Sequence, residues 1–167
     1  MAKIQEITVT VEETRKPIAQ ITEIVLPNDA NTLGNLLGGK VMHLIDIACA
    51  IAASRHCRRP VVTASIDHLD FKHPIKVGEL VIVKAALNRA FRTSMEVGAK
   101  VMSENMLTGE CRHTSTAYLT FVALGEDGKP IPVPEYIPQT DEEKRRWEQA
   151  AIRRENRLRE AKKLADV

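Results

Sequence analysis

The sequence predicts an α+β fold in which an antiparallel sheet of about five to six strands wraps around one long buried helix. Residues 40–56 contain neither Gly nor Pro and are apolar on nearly every face, which is typical of a helix enclosed by protein. Beyond Pro60 the pattern changes to short segments rich in β-branched and aromatic residues, separated by turn residues. Because no other apolar helix is predicted, we expect the sheet itself to cover this one.

The predicted elements follow in a simple order. Two extended segments come first, and a turn-rich loop over 27–39 then leads into the helix. Four more extended segments follow the helix, and a hairpin turn over 105–109 joins the last two. The extended segments are residues 4–14, 18–26, 61–71, 80–87, 93–102 and 112–124. An open sheet of this kind exposes its edge strands, and pairing with a second copy would close them.

The final segment, residues 141–167, is predicted to form a charged helix that follows a body domain of residues 1–140. We expect this helix to lie on the body or on a neighbouring subunit, with the alternative that it is a basic lid for phosphate groups. Its predicted contact face is a narrow apolar stripe of Trp147, Ala151, Leu158, Ala161 and Leu164.

The composition excludes several classes of protein. The net charge is +2, and residues 141–167 hold nine Lys and Arg against seven Asp and Glu, so the body is balanced and predicts no nucleic-acid face. No apolar run is long enough to span a membrane and no secretory signal is visible, so we expect no membrane partner and a cytoplasmic location. Cys49, Cys57 and Cys111 lack the spacing of a disulfide framework or a zinc site and are expected to be reduced thiols.

Asp46 is the only carboxylate in the predicted helix. A carboxylate in apolar surroundings costs free energy unless it is paired. Asp46 is therefore either a structural acid bonded to a loop amide, or a general base or nucleophile in a dry pocket. The residues alone leave both interpretations open.

Familiar catalytic motifs are missing from the sequence. It has no GxSxG elbow of a serine hydrolase and no Walker loop, and GNLLGG lacks the spacing of a dinucleotide fingerprint. The five His residues are scattered, so we predict neither a metal nor a cofactor. What remains is Asp46 and the pair Gly38-Gly39 at the start of its helix, where free N–H groups can polarise a carbonyl oxygen. A thioester suits such a site because its thiolate leaves without obligatory acid catalysis.

Three stretches together resemble a known family. They are PNDANTLGNLLGGKVMHLID at 27–46, TASIDHLDFKHPIKVGE at 63–79 and VMSENMLTGE at 101–110. Their combination and spacing resemble the hotdog-fold acyl-CoA thioesterases, in the cytosolic acyl-CoA hydrolase branch that includes the mammalian brain-type enzyme and small bacterial single-domain forms. The resemblance covers residues 8–140 approximately, and it implies a hotdog fold and hydrolysis of fatty acyl-CoA.

The resemblance also implies roles for single residues. Asn31 matches the family's Asn that positions the substrate carbonyl or the water. Asp46 matches the acidic general base or nucleophile, and Thr63 matches the Thr that holds the water or orients that carboxylate. Gly38 and Gly39 match the family's glycine pair, and the N–H of Gly39 is the expected oxyanion donor.

Further expectations concern coenzyme A and assembly. Asn35 is a secondary substrate-binding candidate, and Ser65 lies on the strand along which the pantetheine arm is expected to run. Arg58 and Arg92 are the candidates for the CoA phosphates. In the family the site lies at a dimer interface, so Asn31 and Asp46 of one site are expected to come from different subunits. A hexamer formed as a trimer of dimers is the expected assembly.

Two alternatives to a thioesterase remain at this point. One is a non-catalytic acyl-CoA sensor, although the basic tail lacks a helix-turn-helix pattern for binding DNA. The other is a hotdog dehydratase or hydratase, which would use a catalytic His. His43 lies near Asp46 on the helix, but the loop motif of those enzymes does not match. The presence of both Asn31 and Asp46 favours hydrolysis.

Overall fold

The structure is a computed structural model that describes residues 16–67 and 69–165, so the extended segment predicted at 4–14 lies outside the described residues. Within them, one antiparallel sheet of five strands has the order β1-β3-β4-β5-β2. The strands are β1 (Ile18–Ile24), β2 (Val61–Ile66), β3 (Leu80–Ala90), β4 (Ser94–Glu104) and β5 (Cys111–Ala123). The predicted number and antiparallel pairing of the strands are confirmed.

The central helix α1 (Gly38–Cys57) packs on one face of this sheet. Alternate residues of β4, such as Val97 and Ala99, point to that face and are fully or almost fully buried. The helix begins two residues earlier than predicted because Gly38 and Gly39 form its first turn. It ends at Arg58, whose left-handed backbone (φ 52°) closes the C-terminus.

One side of α1 is exposed, which corrects the prediction that the helix is covered all round. Met42, Ile47 and Ile51 are 42%, 37% and 37% exposed. The five strands cover only the side of α1 that faces the sheet. The opposite side of the helix also has apolar side chains, and these are left exposed. An open apolar side on a helix is a surface suited to another protein.

Strand β2 lies at one edge of the sheet and ends at Ile66, earlier than the predicted residue 71. The N–H of Asp67 still donates to Tyr118 O at 2.9 Å, and the chain then leaves the strand. Residues 69–75 continue beside β5, where the N–H of Lys72 donates to Thr114 O at 2.9 Å. This course brings residues 71–75 towards the start of α1.

The C-terminal helix α2 (Asp141–Ala165) lies on the opposite face of the sheet. Glu96, which points away from Val97 and the core, pairs with Arg153 of α2 at 2.6 Å. The prediction that the helix lies on the body is confirmed. The predicted stripe is right at Trp147, which contacts Arg89 of β3, and wrong at Leu158 and Leu164, which are 47% and 72% exposed.

The contacts between α2 and the rest of the chain are made mainly by arginine side chains, some from α2 and one from the sheet. Arg89 of β3 stacks on the ring of Trp147 with 3.4 Å to the ring centroid. Ala150 is fully buried, and Arg157 pairs with Asp67. Within the described residues, neither helix combines the length and apolar character needed to cross a membrane.

Candidate active site

Asp46 and Thr63 form a hydrogen-bonded pair. Asp46 lies midway along α1, on the side that borders its open surface, and Thr63 is the third residue of the edge strand β2. The Thr63 hydroxyl donates to Asp46 Oδ1 at 2.6 Å. This bond fixes the carboxylate and leaves Oδ2 to accept a proton or contact a water. The contact is the one expected if Thr63 orients the carboxylate.

Cys49, one turn after Asp46 on α1, has none of the properties of a nucleophile. Burial of its thiol, and secondly the charge of Asp46, raise its pKa from 9.0 to about 12. The thiol is therefore neutral at physiological pH, and only the thiolate is reactive. The acid, rather than the thiol beside it, is the reactive group available here.

The loop before α1 orders Asn31. Asn31 Oδ1 accepts hydrogen bonds from the backbone N–H groups of Leu33 at 2.9 Å and Asn35 at 3.1 Å. Both lone pairs of this oxygen are thus used within the loop, as in an Asx turn. What Asn31 offers to a ligand is therefore its NH₂ group, a donor. This donor can bind either of the expected partners, the carbonyl oxygen of the substrate or the oxygen of a water.

A cavity of about 340 Å³ lies beside Asn31. Its walls are the loop, the start of α1, residues 71–75 and the beginning of β5. Gly38 lies beside Phe71 in this wall, at a distance where a Cβ would make an ordinary van der Waals contact of 3.4 Å with the ring. Around Gly39 the corresponding direction is open, with no atom within 4 Å. The first N–H groups of a helix have no intrahelical acceptor, so this end of α1 can donate to an oxygen.

The cavity beside Asn31 is lined by only some of the predicted site residues. Asn31 and Gly38 line the cavity, whereas neither Asp46 nor Thr63 does. Gly39 and Asp46 are seven residues apart on α1, which corresponds to roughly 10 Å along the helix axis. A base must come within about 3 Å of the atom it serves. Gly39 and the Asp46 carboxylate therefore lie at two separate positions along α1.

The other predicted binding residues lie further away. Ser65 is on β2, and its buried hydroxyl has no hydrogen-bond partner among the described residues. Arg58 is at the far end of α1, roughly 30 Å from Gly38. Arg92 borders a separate cavity of about 400 Å³ together with Trp147. The role of the two arginines in binding phosphate stays a prediction.

Sequence reasoning missed residues 71–75 as part of the site. It placed 61–71 in one long strand, so Phe71 was not expected to reach α1. The available signal was Pro74 with Lys72 and His73 before it, because proline and charged residues are disfavoured inside a paired strand. In the described part of the chain, no three His, Cys, Asp or Glu side chains are grouped as a metal site.

Comparison with known proteins connects this geometry to a family. The profile of the thioesterase superfamily matches residues 33–110. The chain is 43% identical over 149 residues to an uncharacterised acyl-CoA thioester hydrolase of Bacillus subtilis, and the match covers 87% of each protein. A crystal structure of an apo-hexameric acyl-CoA thioesterase is 46% identical, with a TM-score of 0.85 and coverage of 89% of this chain and 95% of that one.

A third relative has been solved with ligands. It is the acyl-CoA hydrolase of Staphylococcus aureus in complex with butyryl coenzyme A, coenzyme A and coenzyme A disulfide. It is 34% identical, with a TM-score of 0.82 and coverage of 92% of this chain and 95% of that one. Three further structures of that enzyme each have a single substitution to alanine. The residue replaced is an aspartate in one, a threonine in another and an asparagine in the third. These similarities confirm the predicted hotdog fold.

Proposed function

The chain belongs to the thioesterase superfamily, and we propose that it hydrolyses fatty acyl-CoA to a free fatty acid and coenzyme A. The observation that carries this proposal is the 2.6 Å hydrogen bond that fixes Asp46 beside Thr63 on an open side of α1. The substituted Asn, Asp and Thr of the S. aureus enzyme are separated by 15 and 17 positions. Asn31, Asp46 and Thr63 have the same separations, which supports their assignment to one site.

In the proposed reaction, the Asn31 NH₂ group and the Gly39 N–H donate to the thioester carbonyl oxygen and stabilise the negative charge that develops there. Asp46 either removes a proton from the attacking water or attacks the carbonyl carbon itself. The C–S bond then breaks, coenzyme A leaves as the thiolate, and the acyl group takes up the hydroxyl of water. No cofactor is needed in this scheme, since coenzyme A belongs to the substrate.

We place each site between two subunits. The separation of Gly39 and Asp46 along α1, roughly 10 Å, supports an arrangement in which one protomer supplies the donors and its partner the carboxylate. An open surface suited to this pairing is present on the described residues. It combines the unpaired edge of β2 with exposed apolar side chains, which are Met42, Ile47, Ile51, Val62 and Ile66. Exposed edges and apolar patches of this kind are usually covered in the native assembly.

Each homodimer would then have two equivalent sites. We propose that three dimers assemble into a hexamer, and the hexameric state of the apo-hexameric relative supports this size of assembly. A cytoplasmic location is part of the proposal and is supported by the presence of three free cysteines. Neither a nucleic acid nor a membrane is proposed as a partner.

The central test is Asp46→Ala. We expect kcat to fall by about two orders of magnitude or more, the scale of a lost general base, while the fold and the oligomeric state are retained. Thiol release from acyl-CoA substrates of increasing chain length, from acetyl to palmitoyl, measures the rate. Asp127→Ala, which changes an exposed carboxylate in a distant turn, is the matched control.

Two outcomes would overturn the assignment. A purified, correctly assembled Asp46→Ala protein with turnover near that of the wild type would exclude Asp46 as the base. A wild-type protein that binds acyl-CoA tightly but hydrolyses none of the chain lengths would instead be a binding protein. The same experiment therefore decides between the enzyme and the sensor.

Mixing two inactive variants tests the shared site. In a hybrid dimer of Asn31→Ala and Asp46→Ala, one site has both substitutions and the other has neither. Random exchange makes half of the dimers hybrids, so about a quarter of the wild-type activity should return. Sites built within one subunit would give no recovery, even when light scattering of differently tagged subunits shows that exchange is complete.

A further inference from the structure

The C-terminal helix is connected to the end of strand β2. Arg157 of α2 donates from Nη1 to both carboxylate oxygens of Asp67, at 3.1 and 3.2 Å. The two side chains are only 25% and 21% exposed, so solvent screens this pair less than it screens a surface pair. Asp67 directly follows Ile66, the last residue of β2.

Arg157 is presented by a firmly anchored part of α2. One turn earlier, Arg153 donates to both carboxylate oxygens of Glu96, at distances from 2.6 to 3.2 Å, and Glu96 is fully buried. The guanidinium of Arg153 also stacks on the ring of Tyr118, with 3.6 Å to the centroid. Asn88 donates to Glu96 at 3.0 Å from the other side. Arg157 therefore extends from a fixed turn rather than from a loose helix end.

Asp67 lies between two parts of the candidate active site. Thr63, whose hydroxyl donates to Asp46, is four residues earlier and lies on β2. Residues 69–75 follow Asp67 and lead into the wall of the cavity beside Asn31. A fixed Asp67 thus sets where this segment starts as it leaves the sheet.

The segment is tied again at its far end. The N–H of Lys72 donates to Thr114 O at 2.9 Å, and the N–H of Leu36 donates to Ile75 O at 2.8 Å. The second bond joins the segment to the loop that holds Asn31. The ion pair at Asp67 and these two bonds together determine the position of the cavity wall.

We propose that Arg157 is a positioning residue for the thioesterase site, acting through Asp67 to hold residues 69–75 in place as the cavity wall. This inference rests on the proposed function. The Thr63–Asp46 bond lies within the paired part of β2, whereas the wall lies beyond it. Loss of the ion pair should therefore weaken substrate binding and leave the chemical step largely intact. The C-terminal helix, on the sheet face opposite the site, would in this way take part in substrate selection.

The test is the pair Arg157→Gln and Asp67→Asn, measured by steady-state kinetics. We expect KM for acyl-CoA to rise about fivefold or more in each variant, with kcat within about twofold of wild type. The double variant should be no worse than either single one, because both remove the same interaction. Arg157→Lys, which keeps the charge, should recover part of the loss. Arg159→Gln is the control, since Arg159 is on the same helix and bonds only to the nearby Asn156.

A second readout separates this inference from the proposed function. The dissociation constant for acyl-CoA is measured by calorimetry in the Asp46→Ala background, where turnover is expected to be about a hundredfold slower or more, and it should rise by the same factor in the Arg157→Gln variant. A lower melting temperature with unchanged KM and unchanged affinity would show a purely structural pair and overturn the proposal. Equal effects of Arg157→Gln and Arg159→Gln would overturn it as well. A wild-type chain that binds acyl-CoA without hydrolysing it would remove the proposed function but leave the affinity test decisive.

Discussion

The two helices lie on opposite faces of one sheet and are attached to it by different forces. The inner face of α1 packs with aliphatic side chains such as Leu44 and Ile45, both almost completely buried. The contact face of α2 instead packs with guanidinium groups, through the Arg153–Glu96 pair and the stacking of Arg89 on Trp147. Hydrophobic burial has no directional requirement, whereas a stacked and paired arginine requires its partners in defined positions.

This difference separates the roles of the two helices. Removal of apolar surface from water contributes most to stability, so α1 is the main source of stability in the body. Paired charges contribute less net free energy because their desolvation offsets much of the attraction. The charge pairs do fix the orientation of α2, as its proposed role in positioning residues 69–75 requires. We therefore associate stability with α1 on one face of the sheet and positioning with α2 on the other.

The largest expected effect is on the inner face. Leu44→Ala should lower the free energy of unfolding by about 2–5 kcal/mol, since it leaves a cavity between α1 and the sheet. Urea denaturation at a fixed protein concentration measures the change, and added salt should not alter it. Leu158→Ala on the exposed side of α2 is the control and should cost about 0.5 kcal/mol or less. Equal losses of unfolding free energy in Leu44→Ala and Leu158→Ala would show that apolar packing of the inner face of α1 is not the larger contribution.

A smaller effect is expected on the outer face. Glu96→Gln removes the charge partner of Arg153 and should cost about 1–3 kcal/mol, a range that allows for the partial exposure of Arg153. The loss should shrink as salt is added, because chloride can screen the unpaired guanidinium. Glu110→Gln, whose pair with Arg112 is exposed, should have almost no effect. A salt-independent loss for Glu96→Gln would show that packing, not charge, attaches α2.

The smallest effect concerns thiol reactivity, which measures how well the packing of α1 on the sheet protects Cys49 from a reagent in solution. Cys111 is exposed, whereas Cys49 is buried with its pKa raised to about 12. At pH 8 a thiol reagent should therefore label Cys111 quickly and Cys49 only after unfolding, since the raised pKa keeps the Cys49 thiol neutral. Mass spectrometry identifies the labelled position, and Cys111→Ser should abolish the fast phase. Rapid labelling of Cys49 in the folded protein would contradict close packing between the inner face of α1 and the sheet.

The same contrast explains what the sequence could predict. The inner helix follows from composition alone, because an apolar segment without Gly or Pro has few structural alternatives. The contact face of α2 could not be predicted this way, since the partners of Arg153 and Arg157 lie 57 and 90 residues away in the chain. An arginine without a known partner is indistinguishable from a solvated charge. The apolar stripe was therefore preferred, and it was wrong at Leu158 and Leu164, which are exposed.

The site shows the same division. The contact between Thr63 and Asp46 was expected from the resemblance, and the pair is bonded as expected. The wall formed by residues 71–75 was not, because it depends on where β2 stops pairing. The end of the strand is a tertiary property, set where the Asp67 side chain pairs with Arg157 and regular pairing with β5 stops. Local propensity carries no information about such an event.

Gly98 has a consequence for how this chain can evolve. A Cβ at this position would lie 2.8 Å from Asn88 Nδ2, so only glycine leaves room for the amide that bonds Glu96. Gly98, Asn88, Glu96 and Arg153 therefore form one group of contacting residues, in which a change at one position alters the packing of the others. In an alignment of descendants, we expect these four positions to vary together, and lineages that lost the last helix to be the ones in which they drift apart.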